Sequence, residues 1–343
     1  MVIRRSIAVI LLMAMIMVFV VGCSSGSSDA AATTKAADPV HLKMSITVSE
    51  NSSWYEGAVK FKELIEEKTA GAYIVDIYPS EQLAGGNTVK GIEMVQSGAT
   101  DIDIHSTIIW TAIEPKFTVV NMPWLVPSYE KADAALSNEE TVAKLFALAE
   151  AKGVKPLALG ESGFRQITNN RNPIVTLEDL AQLKLRVPGI KMYIDLFTEL
   201  GADPTAMNFS EVFTALQMGT IDGQENPFDV TASAKLEEVQ KYLTVWNYSY
   251  DTLLMNMSNN LWDSLSDDNK VIFQAAADEA MAYQKQRSRE INGENLEYMK
   301  TKMEVYEMSD DEIAVFRAAA QPIYEAYEEV IGLDLLEAFG YEK

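Results

Sequence analysis

The sequence predicts an α/β protein with a largely parallel sheet, and three observations lead to this fold class. The chain has 343 residues, which is enough for about two globular units. Hydrophobic residues make up 48% and charged residues 23%, a balance that is usual for globular proteins and excludes disorder of the whole chain. Along the chain, segments with helical periodicity alternate with short β-prone runs, as in proteins with parallel sheets.

The first elements of the body follow this alternation. Ser53 begins a capping-box pattern, and apolar residues then recur at helical spacing up to Gly71, which predicts a helix. We expect a strand at residues 73–78, a second helix at 88–97 and a second strand at 101–104.

The later elements are predicted on the same grounds. They are two strands, at residues 154–159 and 183–187, and two helices, at 192–200 and 210–218, the second capped by Ser210. A long helical stretch follows at 267–303, and by its rise per residue it spans about 45 Å or more. Such a helix exceeds a small lobe and is suited to brace two of them. Ser309 begins another capping box, which opens the C-terminal helices.

The N-terminus has the pattern of an export signal. Arg4 and Arg5 precede an uninterrupted apolar run at residues 7–21, whose 15 residues are too few for a membrane-spanning helix and suit a signal peptide. The run ends just before Cys23 and resembles a bacterial lipobox, in which cleavage precedes the cysteine and lipid is attached to it. We therefore expect a signal peptide at 1–22, a lipidated flexible tether at 23–39, and a body held outside the cytoplasmic membrane.

Composition excludes several classes of function. The chain carries 28 Lys and Arg against 50 Asp and Glu, a net charge of −22, which argues against nucleic acid as a partner. Its single cysteine excludes an intrachain disulfide, and its two histidines argue against a metal site built on His and Cys ligands. His105 is expected to be structural.

No motif for catalysis or cofactor binding is present in the sequence. The metalloprotease, P-loop and dinucleotide-binding patterns do not occur, and Phe164 stands where the last glycine of a nucleophile elbow is required. The sequence therefore predicts neither an enzyme nor a cofactor.

Two arginines are the strongest candidates for ligand binding. Arg165 and Arg186 each follow or end a β-prone run, and ligands of open α/β sheets bind at the carboxyl ends of strands. A guanidinium grips a carboxylate with two parallel hydrogen bonds. A structural ion pair with one of the many acidic residues explains the same arginines equally well at this point.

Several motifs resemble one known family. The stretches at residues 78–83, 98–101, 163–168, 179–189 and 200–227, the last reading LGADPTAMNFSEVFTALQMGTIDGQENP, are similar to those of the solute-binding proteins of tripartite ATP-independent periplasmic (TRAP) transporters. The resemblance covers about residues 40–343. Gln182 stands where these proteins usually have a glycine, and Ala206 where proline is common.

The resemblance implies a two-lobed fold of the periplasmic-binding-protein type, with hinge strands and a long bracing helix. Lobe 1 would comprise residues 40–162 plus about 252–291, and lobe 2 residues 163–251 plus about 292–343. A small organic acid would bind between the lobes and be delivered to the membrane subunits of a TRAP permease. The protein is expected to be a monomer.

The resemblance also implies roles for individual residues. Arg186 would clamp the ligand carboxylate, Arg165 would line the same pocket, Asn226 would hydrogen-bond the ligand and Phe209 would pack against it. The further candidates for ligand contacts are Trp54, Asn87, Ser106, Trp110 and Tyr248.

Some of the resembling proteins have a Lys, Arg or Glu shortly after the strand at 101–104, whereas His105 and Ser106 stand there in this chain, so the first lobe lacks a second strongly charged partner. This favours a sugar acid or another monocarboxylate over a simple dicarboxylate. Two other functions stay open from the residues, a ligand-sensing lipoprotein that serves a receptor and a secreted lipoprotein hydrolase. The hydrolase would need a nucleophile beside a base, and no motif supplies one.

Overall fold

The computed structural model describes residues 38–342, so the predicted signal peptide, Cys23 and nearly all of the predicted tether lie outside the described residues. Within this range nine strands join in one sheet. The strands are β1 (Val40–Ile46), β2 (Tyr73–Tyr78), β3 (Ile102–Ser106), β4 (Val154–Asn169), β5 (Lys184–Val187), β6 (Asp203–Ala206), β7 (Gly223–Asn226), β8 (Tyr242–Ser258) and β9 (Glu304–Glu307).

Fifteen α-helices accompany the sheet in the described part of the chain. They are α1 (Ser53–Lys68), α2 (Thr88–Ser97), α3 (Thr107–Trp110), α4 (Thr118–Asn121), α5 (Tyr129–Leu136), α6 (Glu139–Glu150), α7 (Leu177–Leu180), α8 (Lys191–Glu199), α9 (Val212–Gln217), α10 (Phe228–Ser233), α11 (Asn259–Ser264), α12 (Asp267–Lys300), α13 (Asp310–Ala319), α14 (Gln321–Ile331) and α15 (Leu333–Ala338). This mixture confirms the predicted α/β class.

The sheet is mixed rather than uniformly parallel. Its strand order is β2-β1-β3-β8-β4-β7-β5-β6, with β9 also paired to β8. Five of the eight strand pairings are parallel, but the three central ones, β3–β8, β8–β4 and β4–β7, are antiparallel. Two parallel sets of strands therefore flank an antiparallel centre.

The long strands β4 and β8 connect the two sets. They pair from Val154 with Ser258 to Asn169 with Tyr242, with three irregularities in register on β4. Such bulges redirect side chains and bend a strand. One large apolar cluster contains Trp246 and Phe197, and a second contains Leu253 and Phe61, so different parts of β8 contribute to different cores.

Local signals placed several element ends correctly. Strand β2 and helix α2 have the predicted bounds, and the capping box of Ser309 with Glu312 opens α13 as expected. Two caps were wrong by one or two residues. The side chain that caps α1 belongs to Ser52 rather than Ser53, and a capping box of Asn208 with Glu211 replaces the predicted cap at Ser210.

Gln182 has a φ of 56°, a left-handed backbone conformation. Its amide donates to the carbonyl of Gly201 at 2.9 Å, which fixes the turn before β5. A glycine adopts this conformation without steric cost, which accounts for the residue that the resembling proteins usually have here.

Helix α12 is the predicted brace. Its 34 residues span about 51 Å at 1.5 Å per residue, and it packs against α1, α10 and β4. A Cβ atom on Gly57 of α1 would lie 2.7 Å from the side chain of Gln284, so α1 and α12 approach closely there. Between residues 38 and 342, no helix has the length and apolarity needed to cross a membrane.

Candidate ligand-binding site

A cavity of about 340 Å³ lies where residues of β3, β4, β5, β7 and β8 meet. Seven of the nine side chains predicted to contact a ligand line it. They are Trp54, Asn87, Ser106, Arg165, Arg186, Phe209 and Asn226. Residues that are far apart in the sequence therefore meet at one site.

Arg186 brings a buried positive charge to this cavity. It lies in β5 and is only 3% exposed. Its Nε and Nη2 atoms donate to the carbonyl oxygen of Met207 at 3.1 and 2.7 Å, and its guanidinium lies 5.9 Å from the ring centroid of Phe209. No ion pair found among residues 38–342 includes Arg186. Burial lowers its pKa to about 10, and the charge of Arg165 acts in the same direction against the attraction of Glu225.

Arg165, in contrast, is already paired. Its Nε and Nη2 atoms donate to the two carboxylate oxygens of Glu225, Nη2 donates to Asn226 Oδ1 at 2.9 Å, and Nη1 lies 3.3 Å from Asp251 Oδ2. Burial disfavours the charged guanidinium, but Glu225 more than offsets this and raises the pKa of Arg165 well above its ordinary value. The structural ion pair that the sequence left open is thus realised at Arg165 and not at Arg186.

Strand β7 supplies the acidic and amide partners. Asn226 pairs in register with Gln166 of β4, and its Nδ2 donates to Gln224 Oε1 at 2.5 Å while its Oδ1 accepts from Arg165. Gly223 permits this approach, since a Cβ atom there would overlap the carbonyl oxygen of Thr168. The amide of Asn226 is therefore held at the cavity in one orientation.

Two buried acids were missed by the sequence reasoning. Glu225 lies inside the Gln-Glu-Asn-Pro stretch, of which only the asparagine was predicted to contact the ligand. Asp251 lies within the largely aromatic and apolar strand β8. Asp251 lines the cavity and accepts a hydrogen bond of 2.6 Å from Ser106 Oγ. Burial raises the pKa of Asp251 to about 6, although Arg165 opposes this. An acidic residue within a buried strand was the signal available in the sequence.

Tyr248 and Trp110 lie outside the cavity lining, in contrast to the prediction that they contact a ligand. Both side chains are fully buried. Tyr248 donates from its hydroxyl to Glu225 Oε2 at 2.5 Å, and the ring of Trp110 packs 5.7 Å from that of Phe117. Tyr248 therefore positions Glu225, the acid that pairs with Arg165.

Asn87 and Ser106, which line the cavity, also cap helices. Asn87 caps α2 by accepting from the amide of Lys90 at 2.9 Å. Ser106 caps α3 while its hydroxyl donates to Asp251. Trp54 is 3% exposed, and its indole Nε1 has no hydrogen-bond partner within the described range.

His105 is buried between two acids, in agreement with the expected structural role. Its ring nitrogens lie 2.5 Å from Glu81 Oε1 and 2.9 Å from Asp103 Oδ2. Although burial opposes the charged imidazole, the two carboxylates raise the pKa of His105 to about 10. Nowhere in residues 38–342 do three or more His, Cys, Asp or Glu side chains gather as a metal site requires.

Comparison with known proteins assigns the chain to a family. The profile of the bacterial extracellular solute-binding proteins of family 7 matches residues 44–330. The chain belongs to this family. Its members are TRAP transport proteins that bind solutes and are not enzymes, which confirms the predicted family and the absence of catalysis.

Individual relatives match over most of their length. The C4-dicarboxylate-binding periplasmic protein DctP of Rhodobacter capsulatus is 32% identical over 305 residues, which cover 88% of this chain and 90% of the relative. The 2,3-diketo-L-gulonate-binding periplasmic protein YiaO of Escherichia coli (strain K12) is 33% identical over 256 residues, 75% of this chain and 77% of the relative.

A solved structure shows the same architecture. The sugar acid binding protein of Advenella mimigardefordensis, in complex with galactonate, superposes with a TM-score of 0.84 at 32% identity and covers 88% of this chain and 97% of its own. The family 7 protein therefore has the two-lobed fold that the sequence predicted.

Proposed function

We propose that this family 7 protein captures a small monocarboxylate that carries hydroxyl groups, such as a sugar acid, and delivers it to a TRAP permease. One observation carries the proposal. Arg186 is a buried guanidinium that faces the cavity and is paired with a carbonyl rather than with a carboxylate in the part of the chain described. A buried charge needs a partner of opposite sign, and a ligand carboxylate supplies one.

The other charges at the cavity support a single carboxylate. The second buried arginine, Arg165, is neutralised by Glu225 and also contacts Asp251. The remaining polar lining consists of hydroxyl and amide groups, among them Thr47, Ser106 and Asn226, together with the carboxylate of Glu211. These groups suit hydroxyl substituents better than a second ligand carboxylate. The relatives named above bind a C4-dicarboxylate, a diketo sugar acid and a sugar acid, so the family accommodates both kinds of ligand.

A thermal-shift screen of the protein from residue 38 onward tests this proposal. Its panel pairs aldonic acids with the corresponding aldaric acids and includes succinate and neutral sugars. Ligand binding raises apparent stability by mass action, so saturating aldonic acid is expected to raise Tm more than succinate or a sugar. If no carboxylate raises Tm and a neutral solute does, the proposed ligand class is wrong.

We also propose that the mature protein is anchored by lipid on Cys23, with residues 23–39 as the tether and residues 1–22 removed. The 15-residue apolar run and the cysteine that follows it support this. In the native host, Cys23→Ser is expected to release the protein from membranes. A Ser24→Ala variant is the matched control and should stay bound. If Cys23→Ser remains with the membranes after a salt wash, the anchor is not a lipid on this residue.

Delivery to a permease, rather than to a receptor, is tested by transport. Proteoliposomes that contain the cognate TRAP permease are expected to accumulate the acid only when this protein is added. Accumulation that is independent of the protein would favour the sensor.

A further inference from the structure

Asp251 is a buried carboxylate that the proposed clamp does not use. It is 1% exposed, lines the cavity and lies on β8 opposite Gly163 of β4. Its Oδ1 accepts from Ser106 at 2.6 Å and its Oδ2 lies 3.3 Å from Arg165 Nη1. The hydroxyl of Ser162 also favours the carboxylate. A carboxylate has about four acceptor positions, so these contacts leave room for a ligand hydroxyl.

The buried charges at the cavity balance only while it holds no anion. Two buried guanidinium groups line it, on Arg165 and Arg186, and the buried carboxylates are those of Asp251 in the lining and of Glu225, which pairs with Arg165. The exposed carboxylate of Glu211 also lies in the lining. A ligand carboxylate on Arg186 adds one negative charge and leaves one carboxylate without a cation. Glu225 keeps its two-pronged contact with Arg165 and the hydrogen bond from Tyr248. Of the three carboxylates then present, those of the ligand, Glu225 and Asp251, the one on Asp251 has the weakest contact with a cation, a single long contact to Arg165.

We propose that Asp251 is a specificity-determining residue, which repels a second ligand carboxylate and takes up a proton from solvent when a monocarboxylate binds at Arg186. This inference rests on the proposed function. Two carboxylates that share one site do not both remain charged, because a like charge nearby disfavours ionisation. A hydroxyl at the same position of the ligand instead donates to Asp251 or accepts from its protonated form.

The groups that face Asp251 from the neighbouring elements agree with this behaviour. Arg165 on β4 favours the carboxylate, whereas Glu225 on β7 disfavours it, and the hydroxyls of Ser106 at the start of α3 and of Ser162 on β4 favour it. Tyr193 of α8 lies close enough for the charge of Asp251 to affect its hydroxyl, which stays neutral because burial raises its pKa. Asp251 already titrates near pH 6, so an added anion brings its proton binding into the range around pH 7.

Matched ligand pairs measure the selectivity. D-Galactonate and galactarate differ only in a terminal hydroxymethyl group against a carboxylate, and D-erythronate and meso-tartrate differ in the same way. Calorimetry should show that Asp251→Asn lowers the preference for the monocarboxylate of each pair by about tenfold or more, because like-charge contacts cost several times the thermal energy. Asp203→Asn, which makes the same change at an exposed position of β6, is expected to leave the preference unchanged.

Proton uptake is a second readout that needs no variant. For the unmodified protein at pH 7, the binding enthalpy of galactonate in phosphate and in Tris buffer should differ by the amount expected for uptake of about half a proton or more. Equal enthalpies in the two buffers, or an unchanged preference in folded Asp251→Asn, would overturn the role of Asp251 while leaving the clamp at Arg186 in place. Failure of all four acids to bind the unmodified protein would overturn the proposed function and this inference together.

Discussion

Arg186 and Arg165 show how two identical side chains in one cavity acquire different roles. Each is buried, but Arg165 has a carboxylate on two of its nitrogens and Arg186 has only the carbonyl of Met207. The difference lies in their neighbours across the sheet. Arg165 lies beside the end of β7, which carries Glu225, whereas Arg186 lies beside Gln224 and Thr205. The charge that is free to meet a ligand is therefore that of Arg186.

The first prediction concerns this charge. Removing one partner of a buried charge pair costs about 2–5 kcal/mol, so Arg186→Ala should weaken binding of the cognate acid by roughly 30-fold to more than 1,000-fold. Arg186→Lys keeps the charge but loses the planar fork and should also bind poorly. Calorimetry measures both. Arg171→Ala, at a partly exposed position, is the matched control and should bind normally.

An unchanged circular dichroism spectrum would show that these variants fold. Binding by Arg186→Ala within threefold of the unmodified protein would mean that the guanidinium does not hold the ligand.

A second prediction concerns pH and His105. Its pKa in the folded protein is about 10, against an ordinary value of 6.5, because Glu81 and Asp103 favour the imidazolium in spite of burial. A pKa raised by folding gives stability that is complete below about pH 6.5 and is lost as the pH rises toward 10. The free energy of unfolding should therefore fall between pH 7 and pH 9, by up to about 1.4 kcal/mol per pH unit.

Urea unfolding at pH 6, 7, 8 and 9 measures this slope. His105→Gln, which cannot bind the proton, should be less stable at pH 6 and should lose less stability on going to pH 9. Parallel curves for the two proteins would show that His105 does not hold its proton in this range.

At the scale of elements, alanine substitutions of two glycines are expected to have opposite effects on stability. Gly223 lies where β7 meets β4, and a Cβ there would overlap a backbone oxygen, so Gly223→Ala must separate the strands that carry Asn226 and Arg165. It should lower both stability and ligand affinity. Gly293 lies in α12, where a Cβ atom would have open space within 4 Å, and Gly293→Ala should stabilise by about 0.5–1 kcal/mol without affecting binding.

Chemical denaturation and calorimetry on both variants provide the measurements. A Gly223→Ala protein with unchanged affinity would show that the spacing of β4 and β7 does not position the site.

Elements with local signals were predictable, and those that depend on distant partners were not. Helix α2 is capped by Asn87 and stopped by Gly98, both of which can be read from neighbouring residues. Strand β8 was missed because polar side chains such as Ser249 and Asp251 interrupt its apolar pattern. These side chains can be buried because distant residues, Asn121, Ser106 and Arg165, form hydrogen bonds with them. Strand β4 likewise continues far past its predicted end, through Gly160 and Gly163.

The site residues likewise were predictable where a local motif marks them and not where they depend on distant partners. Motifs in the sequence led to Arg186, Arg165, Asn226 and Phe209, and all four line one cavity. The ion pair of Arg165 depends on Glu225, which is 60 positions away along the chain and becomes a neighbour only when β7 pairs with β4. Pairing over such a distance is a property of the sheet and has no local signature.

At the scale of the whole molecule, the cavity is bounded by segments that the sequence assigned to different lobes. Ser53, at the start of α1, donates from its amide and its hydroxyl to Asp229 of α10 at 3.0 and 2.7 Å. On another side, Ser210 Oγ donates to the carbonyl of Gly86 at 3.2 Å. These hydrogen bonds join the predicted lobe 1 to the predicted lobe 2 around the cavity, as a closed arrangement requires.

The last prediction is that ligand shifts the protein toward this closed arrangement. A ligand stabilises one conformation only by its differential contacts. Arg186 belongs to the predicted lobe 2 and Ser106 to the predicted lobe 1, so an acid in the cavity contacts both only when these two parts are together. Small-angle scattering should therefore give a smaller radius of gyration with saturating acid than without it. Arg186→Ala at the same acid concentration should keep the larger value, because it lacks the contact that holds the ligand. Superimposable curves for the unmodified protein with and without an acid whose binding calorimetry has confirmed would mean that binding occurs without closure, and that the hydrogen bonds of Ser53 and Ser210 persist in the empty protein.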